Sequence, residues 1–140
     1  MATYLEHANI TVPDADAAIR FLMQIDPSFV IRHDGISEQG YRWVHIGNEQ
    51  FYIAIQEPHE GGGKAEAYTT YLHHGINHMG WVVDDFEATI DRLKKAGYRE
   101  GLIVPPHPFR KRAYYFDDAG LEWEVSGYFS DKDEERNFYD

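Results

Sequence analysis

The chain has 140 residues, 43% hydrophobic and 15% aromatic, with 24 acidic against 13 basic residues, 8 histidines and a formal net charge of −11. That length suits one domain with a buried core, the charge repels nucleic acid, and no apolar run reaches the ~18 residues of a membrane span. The absence of cysteine excludes a disulfide framework and thiolate chemistry, which leaves His, Asp, Glu, Tyr or a bound water as ligand or nucleophile.

The N-terminal MATYLEHANI lacks the basic start and apolar core of a secretion signal, so a cytoplasmic protein is expected. Residues 4–12 read as a strand that ends at Pro13-Asp14. Asp14 is placed to cap a helix over 14–23, in which Ala17, Ala18, Phe21 and Leu22 recur at helical spacing. Strand-like runs follow at 29–33, 41–46 and 51–56, the last two separated by the turn Gly47-Asn48. EPHEGGGKAEAY, residues 57–68, breaks the pattern and reads as a crossover. A second series then begins, with a strand over 77–83 and a helix over 85–96 ended by Gly97. Strands follow over 100–104, 112–116 and 121–126. The tail SDKDEERNFYD carries five acids against two bases and reads as a solvated tail or a short terminal helix. The expected organisation is one domain over 1–140, with module one at about 4–57, a crossover over 58–75, module two at about 76–128 and an acidic tail over 129–140. Each module has the order β-α-β-β-β.

The two halves are also alike in detail. At an offset of 71, LEHANITVPDADAAIRFL (5–22) aligns without a gap on INHMGWVVDDFEATIDRL (76–93). His7 meets His78, Val12 meets Val83, Asp14 meets Asp85, and Ala17, Ile19 and Leu22 meet Ala88, Ile90 and Leu93. Coincident histidines at half the chain length favour a duplication of two fused modules. Strands alternate faces with period two. Ala8, Ile10 and Val12 therefore share a face opposite His7, Asn9 and Thr11, and Leu121, Trp123 and Val125 oppose Glu122, Glu124 and Ser126. The polar faces hold His7, His78 and Glu124, which suit an inward-facing site. His73-His74, adjacent and so on opposite faces of a strand, read as surface or interface. His33, His45 and His59 show no partner pattern. Arg110-Lys111-Arg112 reads as a solvated loop, with attraction of an anionic substrate as the other reading.

The double order, the paired histidines and YYFDDAGLEWEV near the end resemble the vicinal oxygen chelate superfamily. That group includes glyoxalase I, extradiol ring-cleaving dioxygenases, fosfomycin-resistance transferases, methylmalonyl-CoA epimerase and bleomycin-resistance proteins. The resemblance covers about residues 4–128. It implies an α+β fold in which paired βαβββ modules form an open barrel-like sheet around a metal cavity. It also implies a divalent metal on His7, His78 and Glu124, with Fe(II) favoured and Mn(II), Zn(II) or Ni(II) also suited. The family's terminal motif D-P-D-G-x-x-x-E reads DDAGLEWE here, with Asp118 in place of Pro and Glu124 at the ligand position. Where glyoxalase I has a Glu in the last strand of its first module, this chain has Ala54. Gln56, two residues on and sharing its face, is the candidate fourth ligand.

HPFRKRAYYFDDAGLEWE is similar to the extradiol dioxygenase signature in the spacing of His107, Tyr114 and Glu124, with Ala113 where a larger apolar residue is usual. Carried over, Tyr114 would bond a substrate oxygen at the metal and His107 would act as acid or base. The resemblance thus implies an enzyme acting on a small substrate chelated through vicinal oxygens. Extradiol-type ring cleavage ranks first. A glyoxalase I-like lyase or isomerase and a metal-free ligand-binding protein of the bleomycin-resistance type stay open. A homodimer is expected, with no nucleic-acid or membrane partner.

Overall fold

The computed structural model describes residues 3–63 and 71–139 and divides into two compact units, Met1–Tyr68 and Thr69–Asp140. The middle of the expected crossover, 64–70, lies outside the described residues. Each unit has the expected β-α-β-β-β order and an α+β architecture built on one four-stranded mixed sheet.

In the first unit, strand β1 (His7–Thr11) leads into helix α1 (Ala15–Ile25), followed by β2 (Val30–Ile36), β3 (Arg42–Gly47) and β4 (Tyr52–Gln56). Asp14 caps α1 by accepting from the amides of Asp16 and Ala17 at 2.9 and 3.2 Å, which satisfies two of the orphan N–H groups at a helix start. The Glu57 carboxylate accepts from the Ala15 amide at 3.1 Å. The helix buries Ala17, Ala18, Phe21, Leu22 and Ile25, the stripe that 3.6-residue periodicity predicts. Beneath it, Ile10, Val44, Ile46, Ile53 and Ile55 are buried on the sheet. The sheet order is β1-β4-β3-β2, with β1 parallel to β4 and the remaining pairs antiparallel. A bulge between Ile31 and His33 shifts the β2 register, so that His33 rather than Arg32 pairs with His45.

The second unit repeats the plan with β5 (His78–Val82), α2 (Phe86–Lys95), β6 (Arg99–Glu100), β7 (Arg110–Phe116) and β8 (Glu122–Tyr128), in the order β5-β8-β7-β6. Ile90 and Leu93 of α2 are buried, as are Tyr115, Trp123 and Val125 on the sheet. Gly127 lets the helix come close, since a Cβ there would stand 2.8 Å from Phe86 Cβ. Gly97, at φ +84, ends α2 as expected. It donates to the Lys94 carbonyl while Tyr98 donates to that of Leu93.

Two expectations change, and the tail takes one of its two expected forms. The strand expected over 100–104 is only Arg99–Glu100, and the prolines that follow at 105, 106 and 108 offer no N–H with which a ladder could resume before β7. Arg110-Lys111-Arg112 is not a loop but the start of β7. There Lys111 pairs with Glu87 and Arg110 lies over the rings of Tyr128 and Tyr139. The tail forms a short helix, α3 (Asp133–Arg136), and its Phe138 ring meets those of His107 and Phe109 at 6.0 and 5.6 Å.

Candidate metal centre

The parallel pairing of β5 with β8 sets His78 opposite Glu122 and Gly80 opposite Glu124. With no side chain on Gly80, the face beside Glu124 is open to the neighbouring histidine, and His78 Nε2 lies 3.2 Å from Glu124 Oε2. Two donors that bind one ion at about 2.0–2.2 Å each are roughly 3 Å apart when they subtend about a right angle at it, so this separation fits a shared ion. Both groups are part-exposed, with 31% of the His78 side chain and 18% of Glu124 accessible.

The proton on His78 is directed by its neighbour in sequence. Asn77 Oδ1 lies 2.7 Å from His78 Nδ1. An oxygen there calls for an N–H on Nδ1, which leaves the Nε2 lone pair facing Glu124. In that tautomer the lone pair and the carboxylate repel unless a cation or a proton stands between them. Glu124 is held on its other sides. The Tyr114 hydroxyl donates to Oε2 at 2.7 Å and the Ser126 hydroxyl to Oε1 at 2.8 Å. Burial pushes the Glu124 pKa up, but these two hydrogen bonds, with the charge of Arg112 and that of His78 when a proton stands on its Nε2, outweigh it and hold the carboxyl below its ordinary 4.5. Burial and the neighbouring Glu124 push the Tyr114 phenol well above its ordinary 10.0, so it stays protonated as a donor. Its ring also meets the His78 imidazole edge-on at 5.2 Å.

The first unit repeats part of this arrangement. His7, on β1, has 46% of its side chain exposed, and its Nδ1 lies 3.0 Å from Glu6 Oε1. Again the residue before the histidine supplies an oxygen to Nδ1 and leaves Nε2 available. The pairing His7↔Tyr52 and Asn9↔Ala54 copies His78↔Glu122 and Gly80↔Glu124, so Ala54 occupies the place of Glu124. Gln56 pairs with Thr11, four residues along the ladder from the partner of His7, roughly 13 Å at the usual rise. Its Oε1 accepts from Asn9 Nδ2 at 3.2 Å, and its Nε2 lies 3.1 Å from His59. The ladder therefore does not bring Gln56 to His7. Among the described residues, no group of three or more ligating side chains gathers around one point.

His107 has both ring nitrogens engaged. Nδ1 accepts from the Phe109 amide at 3.1 Å, and Nε2 donates to the Phe138 carbonyl at 2.9 Å. Sequence reasoning missed Asn77 as an orienting group and Ser126 as a donor to Glu124. It also missed Tyr71, whose hydroxyl donates to the buried Glu122 at 2.6 Å across 51 residues. Asn77 had a readable signal, a side-chain oxygen immediately before the repeated histidine, as at Glu6. Tyr71 had none. His73 and His74 are exposed, as expected. His33 and His45, read as unpartnered, stand in a run of rings instead: His33 lies 3.8 Å from Trp43 and His45 4.5 Å from Tyr52.

Over residues 4–125 the chain matches the model of a family described as Glyoxalase/Bleomycin resistance protein/Dioxygenase superfamily. No curated protein matches it. Among solved structures it is similar to a glyoxalase/bleomycin resistance protein/dioxygenase domain from Frankia sp. EAN1pec, at 20% identity and TM-score 0.72, covering 91% of this chain and 99% of that one. A glyoxalase family protein from Bacillus cereus reaches TM-score 0.74 at 14% identity, with 93% and 97% covered. The fosfomycin resistance protein FosX from Listeria monocytogenes, complexed with Mn(II) and sulfate, reaches 0.67 at 16% identity, with 97% and 98% covered. At these identities the structural likeness speaks to the fold.

Proposed function

The chain belongs to the Glyoxalase/Bleomycin resistance protein/Dioxygenase superfamily, and on that premise we propose that it is a metal-dependent enzyme acting on a small substrate through two neighbouring oxygens, with extradiol-type ring cleavage as its reaction. His78 and Glu124 supply two ligands and His7 the third. The observation that carries the reading is the 3.2 Å approach of His78 Nε2 to Glu124, with each histidine held at Nδ1 by the residue before it. A set of two imidazoles and one carboxylate leaves positions open for substrate and suits Fe(II), which would supply Lewis acidity and a place for O2. The FosX complex with Mn(II) supports a divalent ion on this fold.

The chain's own residues do the rest. Glu124 stays ionised near neutral pH and contributes a full negative charge to the site. Tyr114, kept protonated by burial, is a donor for a substrate oxygen once it turns from Glu124. Asn77 and Glu6 hold the imidazole rings in the ligating tautomer. His107 serves the fold in this reading, because both its ring nitrogens are taken up by the backbone.

Purified protein reconstituted anaerobically with Fe(II) or Mn(II) is expected to hold about one equivalent, with loss in His7→Ala, His78→Ala and Glu124→Gln. Less than a few tenths of an equivalent of any transition metal would overturn the reading in favour of a metal-free ligand-binding protein. With Fe(II) bound, O2 uptake on a catechol panel is expected. Turnover of a hemithioacetal without O2 uptake would move the assignment to glyoxalase-like isomerisation.

A further inference from the structure

The first unit carries an open cavity of about 510 Å3 on the ring-bearing side of its sheet. Tyr41, Trp43 and His45 line it together with Asn9, Ala54 and Gln56. Its floor is Ala54, which the register places between Asn9 and His45. The same place in the second unit is filled by Glu124, between Gly80 and Tyr114. Replacing a carboxylate by a methyl group removes the ligating chemistry and leaves space in its stead.

The walls of that space are rings, and each ring is braced by another. Trp43 lies against His33 at 3.8 Å between centroids. His33 can lean there because Gly35 has no Cβ, which would meet its Nε2 at 3.0 Å. His45 stacks on Tyr52 at 4.5 Å, and Tyr41 on His59 at 4.0 Å and 9°. Braced rings lose little freedom on binding, which is how a preorganised site gains affinity. Burial, with His33, Arg32 and His7 nearby, lowers the His45 pKa below its ordinary 6.5, so no cation lines the space near neutral pH, and the exposed carboxylate of Glu38, which also lines it, disfavours an anionic ligand. The bonded amides of Asn9 and Gln56 keep further donors and acceptors for a polar substituent. The volume lies within the range of small-molecule sites.

We propose that this cavity binds a flat aromatic or heteroaromatic ring system that carries no negative charge, stacked on Trp43, with a polar substituent on the Asn9 and Gln56 amides. The inference deepens the enzymatic reading by naming its substrate class, and rests on that reading only for the claim that the bound ring is the substrate. Binding itself requires no metal.

The test uses the full chain in EDTA, titrated with 2-naphthol and with its saturated counterpart, decahydro-2-naphthol, by calorimetry and tryptophan fluorescence. Stacked walls favour a flat π-system over a puckered ring of the same outline. Saturable 1:1 binding of 2-naphthol is expected, at least tenfold tighter than the saturated alcohol. Trp43→Leu is expected to weaken it at least tenfold, and Ala54→Leu, which fills the floor, to do the same while retaining the wild-type circular dichroism spectrum. No binding of 2-naphthol, equal affinity for the two alcohols, or unchanged affinity in both variants would overturn the proposal. Metal stoichiometry measured on the same preparations separates the two readings. A chain that binds 2-naphthol but no metal sinks the enzyme and keeps the cavity, and a chain that binds metal but no naphthol does the reverse.

Discussion

A histidine offers a lone pair to a metal only from the nitrogen that carries no proton, so the residue that fixes the proton matters as much as the ligand. Asn77 holds that place for His78, and Glu6 for His7, each immediately upstream in the chain. Asn77→Ala is expected to weaken metal binding about 10- to 100-fold, measured by competition with a chelating dye, while leaving the far-UV spectrum unchanged. Tyr114→Phe removes one of the two hydroxyl groups that bond Glu124 and is expected to move that carboxyl back toward 4.5. The sign for stability follows from the direction of the shift. A carboxyl held low in the fold favours the folded state above its ordinary 4.5, and that contribution is lost as pH falls through the folded value. The metal-free protein should therefore lose urea resistance as pH falls below the ordinary 4.5, and Glu124→Gln should lose less over the same fall. Asp117 works in the opposite sense. Burial, opposed by hydrogen bonds from Trp123, Leu121 and Ala119, pushes its pKa up, so the comparison with Glu124→Gln isolates the Glu124 contribution. The approach of His78 to Glu124 was legible because one recurs with His7 at a fixed offset and the other sits in a recognisable terminal motif. Tyr71 was not, because its bond to Glu122 depends on a route through space that no local pattern encodes.

At the level of elements, local chemistry was the readable part. Asp14, Gly97 and the turn over 117–120 announce their elements within four residues, and the structure uses each of them. The turn does more than reverse the chain. Asp117 is buried, and its carboxylate accepts from the amides of Ala119 and Leu121 and from the indole of Trp123, each at 2.9 Å. Asp117→Ala would strand these donors and is expected to cost about 1–3 kcal/mol, read as a lower urea midpoint at unchanged slope. The bulge in β2 was not readable, because one extra residue changes which side chain faces the sheet without changing the composition of the run. That displacement brings His33 to His45 and built a chain of rings where sequence reasoning saw isolated histidines. The docking of His107 on Phe138, 31 residues away, escaped for a different reason: spacing to Tyr114 and Glu124 suggested chemistry, whereas the ring donates to a distant backbone carbonyl.

At the level of the whole molecule, the chain reads as one plan used twice and then specialised. The second copy has a carboxylate, Glu124, where the first has Ala54, so a potential ligand and the open space over Ala54 fall in different halves. If His7 joins His78 and Glu124 at one ion, binding must stabilise the fold by linkage, about 2.7 kcal/mol at a free metal concentration a hundred times the dissociation constant. The melting temperature is expected to rise with Mn(II) and fall back with EDTA, and His7→Ala should abolish the rise as fully as His78→Ala. The parallel neighbours β1 and β4 bear on how the protein is made. His7 cannot meet Tyr52 until the ribosome has added the 45 residues from Ala8 to Tyr52 (52 minus 7), about two to nine seconds at ~5–20 residues per second. From the addition of Ile25 to the end of that interval, the apolar stripe of α1 has been synthesised and β4 beneath it has not. A nascent chain is then most open to chaperones and proteases between the emergence of Ile25 and that of Gln56.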